Sequence, residues 1–293
     1  MRILVTGASG FIGGHLANKL VELGHEVVGY DDIKPQASRV KFNSVNEAFQ
    51  SINDFSSFDA VFHLAAYINV DQSIEDPMGY MLNNTIGTNT LLEQVKRTNP
   101  KCKVIYASSA EVYGSARTPI MSEDHPLDPL SPYAVSKLGA EQMCKLYAQL
   151  YGMDITVIRN FNTFGEYQGG GLYGGVIAKF KAQGKAGQNL TVYGSGEQMR
   201  DYMYIKQAIN GYVLALNSKL PTIVNFGSGK PVKIIDIATF IANHYKVGIT
   251  HTKARPNEIM RLEADISRAR QYGYEVSTDF YKNLENYLKY DEI

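Results

Sequence analysis

The segment RILVTGASGFIG, residues 2–13, constrains the fold of this chain more than any other stretch. An apolar run enters a turn carrying Gly7, Gly10 and Gly13, and a helical pattern follows at once. Glycine is required where the backbone must bend left-handed or approach another group with no Cβ between them. A strand that ends in such a turn and opens a helix gathers unpaired backbone N–H groups and the positive end of the helix dipole. That arrangement suits a pyrophosphate, and its place at the first strand–helix junction marks a dinucleotide site rather than a plain tight turn.

The second strand candidate, EVVGYD, ends at Asp31-Asp32. A carboxylate there accepts hydrogen bonds from an adenosine ribose and repels a 2′-phosphate, so NAD is expected rather than NADP. Asp pairs also favour turns, and the nearby Lys34 and Arg39 are able to hold a phosphate.

Further strand candidates are DAVFHL, KVIYAS and ITVIRN, bounded by turn residues. Between them GFIGGHLANKLVELG, SVNEAFQSINDF, residues 77–98 and residues 132–151 read as helices. Near-continuous apolar strands alternating with helices imply a parallel sheet covered on both faces. Beyond residue 160 the pattern loosens. A helix near 176–183, a strand LTVY and helices near 206–217, 234–246 and 279–289 are expected there. The glycine-rich GEYQGGGLYGG, residues 165–175, reads as a mobile loop.

Composition excludes several function classes. Lys plus Arg and Asp plus Glu both number 29, without basic runs, which argues against nucleic acid or an anionic membrane as main partner. Two cysteines, Cys102 and Cys144, give neither a disulfide framework nor a metal site and suit a reducing, cytoplasmic setting. His63, within VFHLAA, reads as a core or strand-end histidine, and no metal is expected. No apolar stretch reaches the roughly 20 residues that span a bilayer, and MRILVTG is too short and polar for a signal peptide.

SPYAVSK places Tyr133 and Lys137 four apart, on one face of a helix. An ammonium near a phenol favours the phenolate and a cofactor's positive nicotinamide adds to that, so with both cations Tyr133 is expected to fall toward neutrality and act as a general base. Tyr30/Lys34 and Tyr202/Lys206 share that spacing, but only Tyr133/Lys137 opens a long helix downstream of a strand ending in Ser108 and Ser109. Ligands of open parallel sheets bind at the carboxyl ends of strands, so both serines are expected to face the crevice of the glycine turn.

With these segments assembled, the sequence resembles the extended short-chain dehydrogenase/reductase family, in particular its nucleotide-sugar epimerases and dehydratases. The matching elements, in family order, are TGASGFIG, Asp31, HLAA (63–66), NNTIGT (83–88), SSAEVYG (108–114), SPYAVSK, RNFNTFG (159–165), GEQMRDYMYI (196–205) and ARPNEI (254–259). The resemblance implies an α/β fold: a Rossmann-type doubly wound parallel sheet with a smaller C-terminal α/β substrate-binding lobe. It places the NAD-binding domain at 1–160, rejoined by about 205–230, and mainly the nucleotide-sugar lobe at 161–293. It implies that Gly7, Gly10, Phe11, Ile12 and Gly13 cradle NAD, with Asp31 and Asp32 by its ribose. Leu64, Ala65, Ala66 and Asn84 would line the rest of the groove. Ser109, Tyr133 and Lys137 would form the catalytic triad, with Lys137 also on the nicotinamide ribose. Glu111, Asn162, Val176, Tyr193, Arg200, Arg255 and Glu258 would bind the nucleotide sugar. A homodimer through the helices near 77–98 and 132–151 is also implied.

The chain departs from the family in places. An acidic pair that often contacts adenine is replaced by Asn43-Ser44, and the usual Gly-Pro-Arg reads Gly165-Glu166-Tyr167. Family dehydratases carry Asp-Glu after the catalytic hydroxyl, where this chain has Ala110-Glu111. Decarboxylases resemble Ser-Glu there and use an arginine at the position of Tyr167. A UDP-sugar 4-epimerase is therefore expected, with a 4,6-dehydratase or a UDP-glucuronate decarboxylase using Glu111 as alternatives and a non-catalytic NAD-binding sensor as a remote one. Leu262 falls where some epimerases carry a tyrosine beside the sugar, which leaves hexoses and N-acetylhexosamines both open.

Overall fold

The computed structural model describes residues 1–34, 41–169, 175–254, 259–277 and 279–290. Seven parallel strands make the central sheet. In chain order they are β1 (Arg2–Thr6), β2 (Glu26–Tyr30), β3 (Asn43–Val45), β4 (Ala60–His63), β5 (Lys103–Ser109), β6 (Ile155–Asn160) and, much later, β10 (Ile223–Phe226). The spatial order is β10-β6-β5-β4-β1-β2-β3. The register aligns Thr6 with both Tyr30 and His63, His63 with Tyr106, and Ser109 with Asn160, so the carboxyl ends lie along one edge. Strand order reverses between β1 and β4, and a ligand crevice opens at such a point.

Both faces of the sheet are buried, which accounts for the apolar strands. Ile3 and Val5 enter one core with Leu16 and Leu20 of α1 (Phe11–Glu22) and Ile209 and Tyr212 of α7 (Ile205–Asn217). The intervening Leu4 enters the other core with Leu91, Leu92 and Val95 of α4 (Gly87–Thr98) and Tyr147 of α5 (Pro132–Tyr151). Two short helices, α2 (Val70–Glu75) and α3 (Pro77–Tyr80), precede α4, and a π-helical turn, Met81–Ile86, joins α3 to it. α5 starts where Ser131 caps the amide of Ala134 and Pro132 fills the first turn, and it stops at Gly152 in the left-handed conformation.

One expected helix is absent. SVNEAFQSINDF forms the edge strand β3 and a single 3-10 turn, Phe49–Ser51. Its Val45, Phe49, Ile52 and Phe55 mimic helical spacing, yet Val45 pairs with Tyr30 while the other three plug the second core.

The remaining elements build a second layer. β11 (Pro231–Lys233), antiparallel, and β13 (Arg261–Leu262), parallel, flank β9 (Met199–Tyr204), β7 (Asn162–Phe164) pairs in parallel with the end of β9, and β8 (Leu190–Tyr193) pairs with β12 (Ile249–Thr252). α6 (Val176–Lys185) packs on α8 (Ile234–Tyr245), and α9 (Ser267–Arg270) and α10 (Phe280–Lys289) complete the chain, while α7 packs against α1. Asp201 ties these parts together from a fully buried position. Its carboxylate accepts the Ser228 amide (2.7 Å) and hydroxyl (2.6 Å), the Gly229 amide (2.9 Å) and the Ala264 amide (3.1 Å). Asp201→Ala strands four buried donors, and a loss of about 3 kcal/mol or more in unfolding free energy is expected by chemical denaturation. A change within about 0.5 kcal/mol would contradict that role.

Candidate active site

The glycine turn fits the backbone approach expected of it. Gly7 adopts φ +73°, and a Cβ there would lie 2.7 Å from the amide nitrogen of Ala65. A Cβ on Gly13 would lie 2.0 Å from the carbonyl oxygen of Gly7, so the start of α1 packs directly on the turn. Gly10 occupies the N-cap, and the first turn of α1, with Phe11 and Ile12, holds no acidic residue. Asp31 directly follows β2 beside it and accepts the Ser9 amide at 2.8 Å and the Ile33 amide at 3.0 Å. Burial pushes its carboxyl above the usual range against the pull of those two amides. Asp32 is exposed, and Arg39 lies outside the described residues. A glycine turn packed this tightly, at a helix start free of acid and beside a strand-end carboxylate, fits NAD.

Leu64, Ala65 and Ala66 follow β4, half-buried beside Gly7. Asn84 does not face them as a free side chain. It is buried, accepts the Tyr67 amide at 2.8 Å, and donates to the Tyr67 carbonyl at 2.9 Å and the Ser136 hydroxyl at 2.9 Å. The π-helical turn inserts it there, so it braces the loop after β4 against α5. Behind it, Thr88 donates to the Asn84 carbonyl (2.6 Å) and meets His63 Nε2 (3.0 Å), while His63 Nδ1 meets Thr6 Oγ1 (2.7 Å). Burial lowers the His63 pKa to about 3, so this strand-end histidine is a neutral spacer.

Tyr133 and Lys137 lie one turn apart on the buried side of α5, and Ser109 ends β5 against the Tyr133 phenol. Here the ionisation differs from the expected pattern. Burial pushes Tyr133 up to about 12, Ser109 opposes the rise, and the charge of Glu111 and neighbouring Tyr80 add to it. Burial likewise lowers Lys137 to about 7, and its Nζ rests 4.5 Å from the centre of the Tyr106 ring. Two groups in a dry site each favour their neutral form, so the chain alone does not draw the phenol toward neutrality. Ser108 also departs from expectation. It points away from Ser109, as successive residues of a strand must, and donates to Glu141 at 2.9 Å in the interior. Ala110 is buried, and Glu111 is the one carboxylate on the 3-10 turn Ala110–Tyr113 that follows.

The other expected contacts lie in the second layer. Asn162 sits on β7 and donates to the Asp201 carbonyl (3.3 Å), and Arg200 sits beside Asp201 on β9. Val176 opens α6, and Tyr193 ends β8, partly exposed. Arg255 and Glu258 lie outside the described residues, as do residues 170–174 of the glycine-rich segment. Three side chains went unread in the sequence. Asn160, opposite Ser109, keeps a buried Oδ1 without a hydrogen-bond partner; Asp201 anchors β9 next to Arg200; Glu141 binds Ser108. Only Glu141, four residues after Lys137, carried a spacing signal. Among the described residues no helix is long and apolar enough to cross a membrane, and no cluster of three His, Cys, Asp or Glu side chains offers a metal site.

Comparison with known proteins places this geometry among enzymes. The model of the NAD dependent epimerase/dehydratase family matches residues 3–227. A UDP-glucose 4-epimerase of Mycolicibacterium smegmatis is 33% identical over 228 residues, 73% of each chain. A UDP-N-acetyl-alpha-D-glucosaminuronate decarboxylase of Bacillus cytotoxicus is 31% identical over 92% of this chain and 91% of its own. The crystal structure of UDP-glucuronic acid 4-epimerase from Bacillus cereus, in complex with UDP-glucuronic acid and NAD, superposes with a TM-score of 0.89 at 32% identity, covering 99% and 98% of the two chains.

Two outcomes are expected from the site geometry. Gly13→Ala drives a methyl into the Gly7 carbonyl, so the purified variant should carry little nucleotide by its ultraviolet absorbance ratio; wild-type loading would contradict the cradle. In nucleotide-free protein, a Lys137 pKa of about 7 against the ordinary 10.5 means the unfolded chain binds more protons between those values. The Lys137 contribution to stability therefore rises with pH from about 7 to 9. The stability difference between wild type and Lys137→Met should grow across that window by a few kcal/mol at most, and a flat difference would refute the shift.

Proposed function

The chain belongs to the NAD-dependent epimerase/dehydratase family, and from that premise we propose that it epimerises a UDP-sugar at C4, acting on glucose and galactose or their N-acetylated forms. The observation that carries this reading is the turn after Ser109, where buried Ala110 leaves Glu111 as the one carboxylate. Elimination of water needs an acid and a base beyond the tyrosine, whereas epimerisation needs none. Decarboxylation is disfavoured by Tyr167, which takes the place of an arginine. Its ring packs between His15 and Tyr290, so no guanidinium is supplied there.

In this mechanism Tyr133 takes the proton of the sugar 4-hydroxyl and later returns it. Ser109 donates a hydrogen bond to the same oxygen as it passes through a carbonyl. Bound NAD supplies the acceptor and donor of hydride at C4. The glycine turn and the start of α1 hold the pyrophosphate, Asp31 the adenosine ribose, and Lys137 the nicotinamide ribose. The orphan Asn160 Oδ1 is an acceptor suited to the carboxamide. Arg200 and Arg255 suit the substrate diphosphate, since guanidinium pairs closely with phosphate. Asn162, Val176, Tyr193 and Glu258 complete the nucleotide site. The keto sugar then has to turn over within the site before the opposite face is reduced.

The working form we propose is a homodimer. Met78, Leu82 and Ile86 on one helical stretch and Leu146 and Leu150 on α5 are exposed, Leu150 by 69%. Such a patch is disfavoured on a monomer surface.

Incubation with UDP-glucose, UDP-N-acetylglucosamine, UDP-glucuronate and dTDP-glucose, followed by NMR, should yield a C4 epimer. A 4-keto-6-deoxy product or CO2 would overturn the epimerase reading. Tyr133→Phe should lower turnover at least about 100-fold with bound NAD retained; near-normal turnover refutes the role of Tyr133. Leu82→Glu with Leu150→Glu should convert a dimer to a monomer in light scattering, and an unchanged mass rejects this interface.

A further inference from the structure

Glu141 lies one turn beyond Lys137 on the buried face of α5 and is fully enclosed. Its Oε2 accepts the Ser108 hydroxyl at 2.9 Å and Arg159 Nε at 3.1 Å, and its Oε1 accepts Arg159 Nη2 at 2.5 Å. Arg159 Nη1 continues to the Tyr113 hydroxyl at 3.0 Å and the Glu123 carbonyl at 2.9 Å. Tyr113 in turn donates to Asn225 Oδ1 at 2.6 Å. A buried ion pair is a poor stabiliser, because desolvation offsets most of its attraction and apolar replacements are often neutral. Its position is more telling than its energy. It joins the residue before Ser109, the turn of Glu111 that Tyr113 ends, and the helix of Tyr133 and Lys137.

Several groups face Lys137. Tyr106 does so from β5, His63 from β4, and Cys144 and Glu141 from α5. Burial keeps the Tyr106 phenol and the Cys144 thiol protonated, and His63 is neutral. Glu141 is thus the one anion among them, and Arg159, Tyr106 and Cys144 are its other charged or titratable neighbours. Tyr133 is faced by Ser109, Glu111, Tyr80 and Tyr212.

We propose that Glu141, buttressed by Arg159, is a positioning residue for the acid–base pair: through Ser108 it sets the strand end that carries Ser109, and it supplies the negative charge that faces Lys137 from the interior. The inference rests on the reading of Tyr133 and Lys137 as that pair. With Glu141 in place, Lys137 holds its proton more firmly and so supports a Tyr133 phenolate.

The test is a titration of phenolate absorbance in the NAD-loaded protein, taken as the difference from Tyr133→Phe, and it needs no sugar. Glu141→Gln keeps the shape and removes the charge, and the Tyr133 midpoint should move up by about one pH unit. Glu141→Asp keeps the charge and should leave the midpoint in place. Ser108→Ala should also leave it in place while lowering kcat at unchanged KM. A Glu141→Gln midpoint equal to the parent overturns the proposal. Because that variant strands Arg159, the double variant Glu141→Gln/Arg159→Met, which removes both charges, supplies the same reading if the single one fails to fold. It too should titrate high, and a parental midpoint there also overturns the proposal. If the parent shows no Tyr133 titration at all, the acid–base assignment itself fails, an outcome distinct from insensitivity to Glu141.

Discussion

A parallel sheet buried on both faces leaves polar chemistry one natural place, the carboxyl edge where strands give way to turns. In this chain that edge gathers Gly7, Asp31, His63, Ser109 and Asn160 from successive strands. Hydrogen-bonded registers fix their relative heights and so set the glycine turn and Ser109 along one edge. The close seat of Gly13 on the Gly7 carbonyl then sets how α1 leaves the edge. Larger side chains there would push the helix off the sheet and its positive end away from the crevice.

The second constraint is charge in a dry interior. Burial alone favours a neutral Tyr133 and a nearly neutral Lys137, although acid–base work needs an ion within the pair. The missing stabilisation has to come from fixed charge nearby or from a bound positive ring. The fully buried Glu141–Arg159 pair lies between α5 and the strands β5 and β6, the place from which the proposed fixed charge would act. Asp201 plays a parallel part in the second layer, where one carboxylate collects three backbone amides and a hydroxyl and so fixes the strand that bears Arg200.

Much of this was legible because it depends on backbone geometry or on local periodicity. A left-handed, tightly packed turn admits little but glycine, so TGASGFIG announces itself. Apolar strands alternating with helices announce a doubly covered sheet, and Ser131-Pro132 announces the start of α5. Residues 44–55 misled because Val45, Phe49, Ile52 and Phe55 repeat at helical intervals while filling a core from an extended, turning backbone. Tertiary burial satisfied those side chains without a helix.

The sequence by itself determined the sheet, the cofactor turn and the residues able to do acid–base chemistry, since each follows from short-range spacing and residue type. Only the tertiary structure decided which way neighbouring residues face and what surrounds them. It sent Ser108 inward to Glu141 while Ser109 met Tyr133, and it enclosed Asn84 in a brace between a loop and a helix. It also buried Tyr133 and Lys137, so the chain's own groups favour a neutral phenol. Orientation across a strand and the loss of water around a charge both depend on groups far away in sequence, and local pattern carries no record of them.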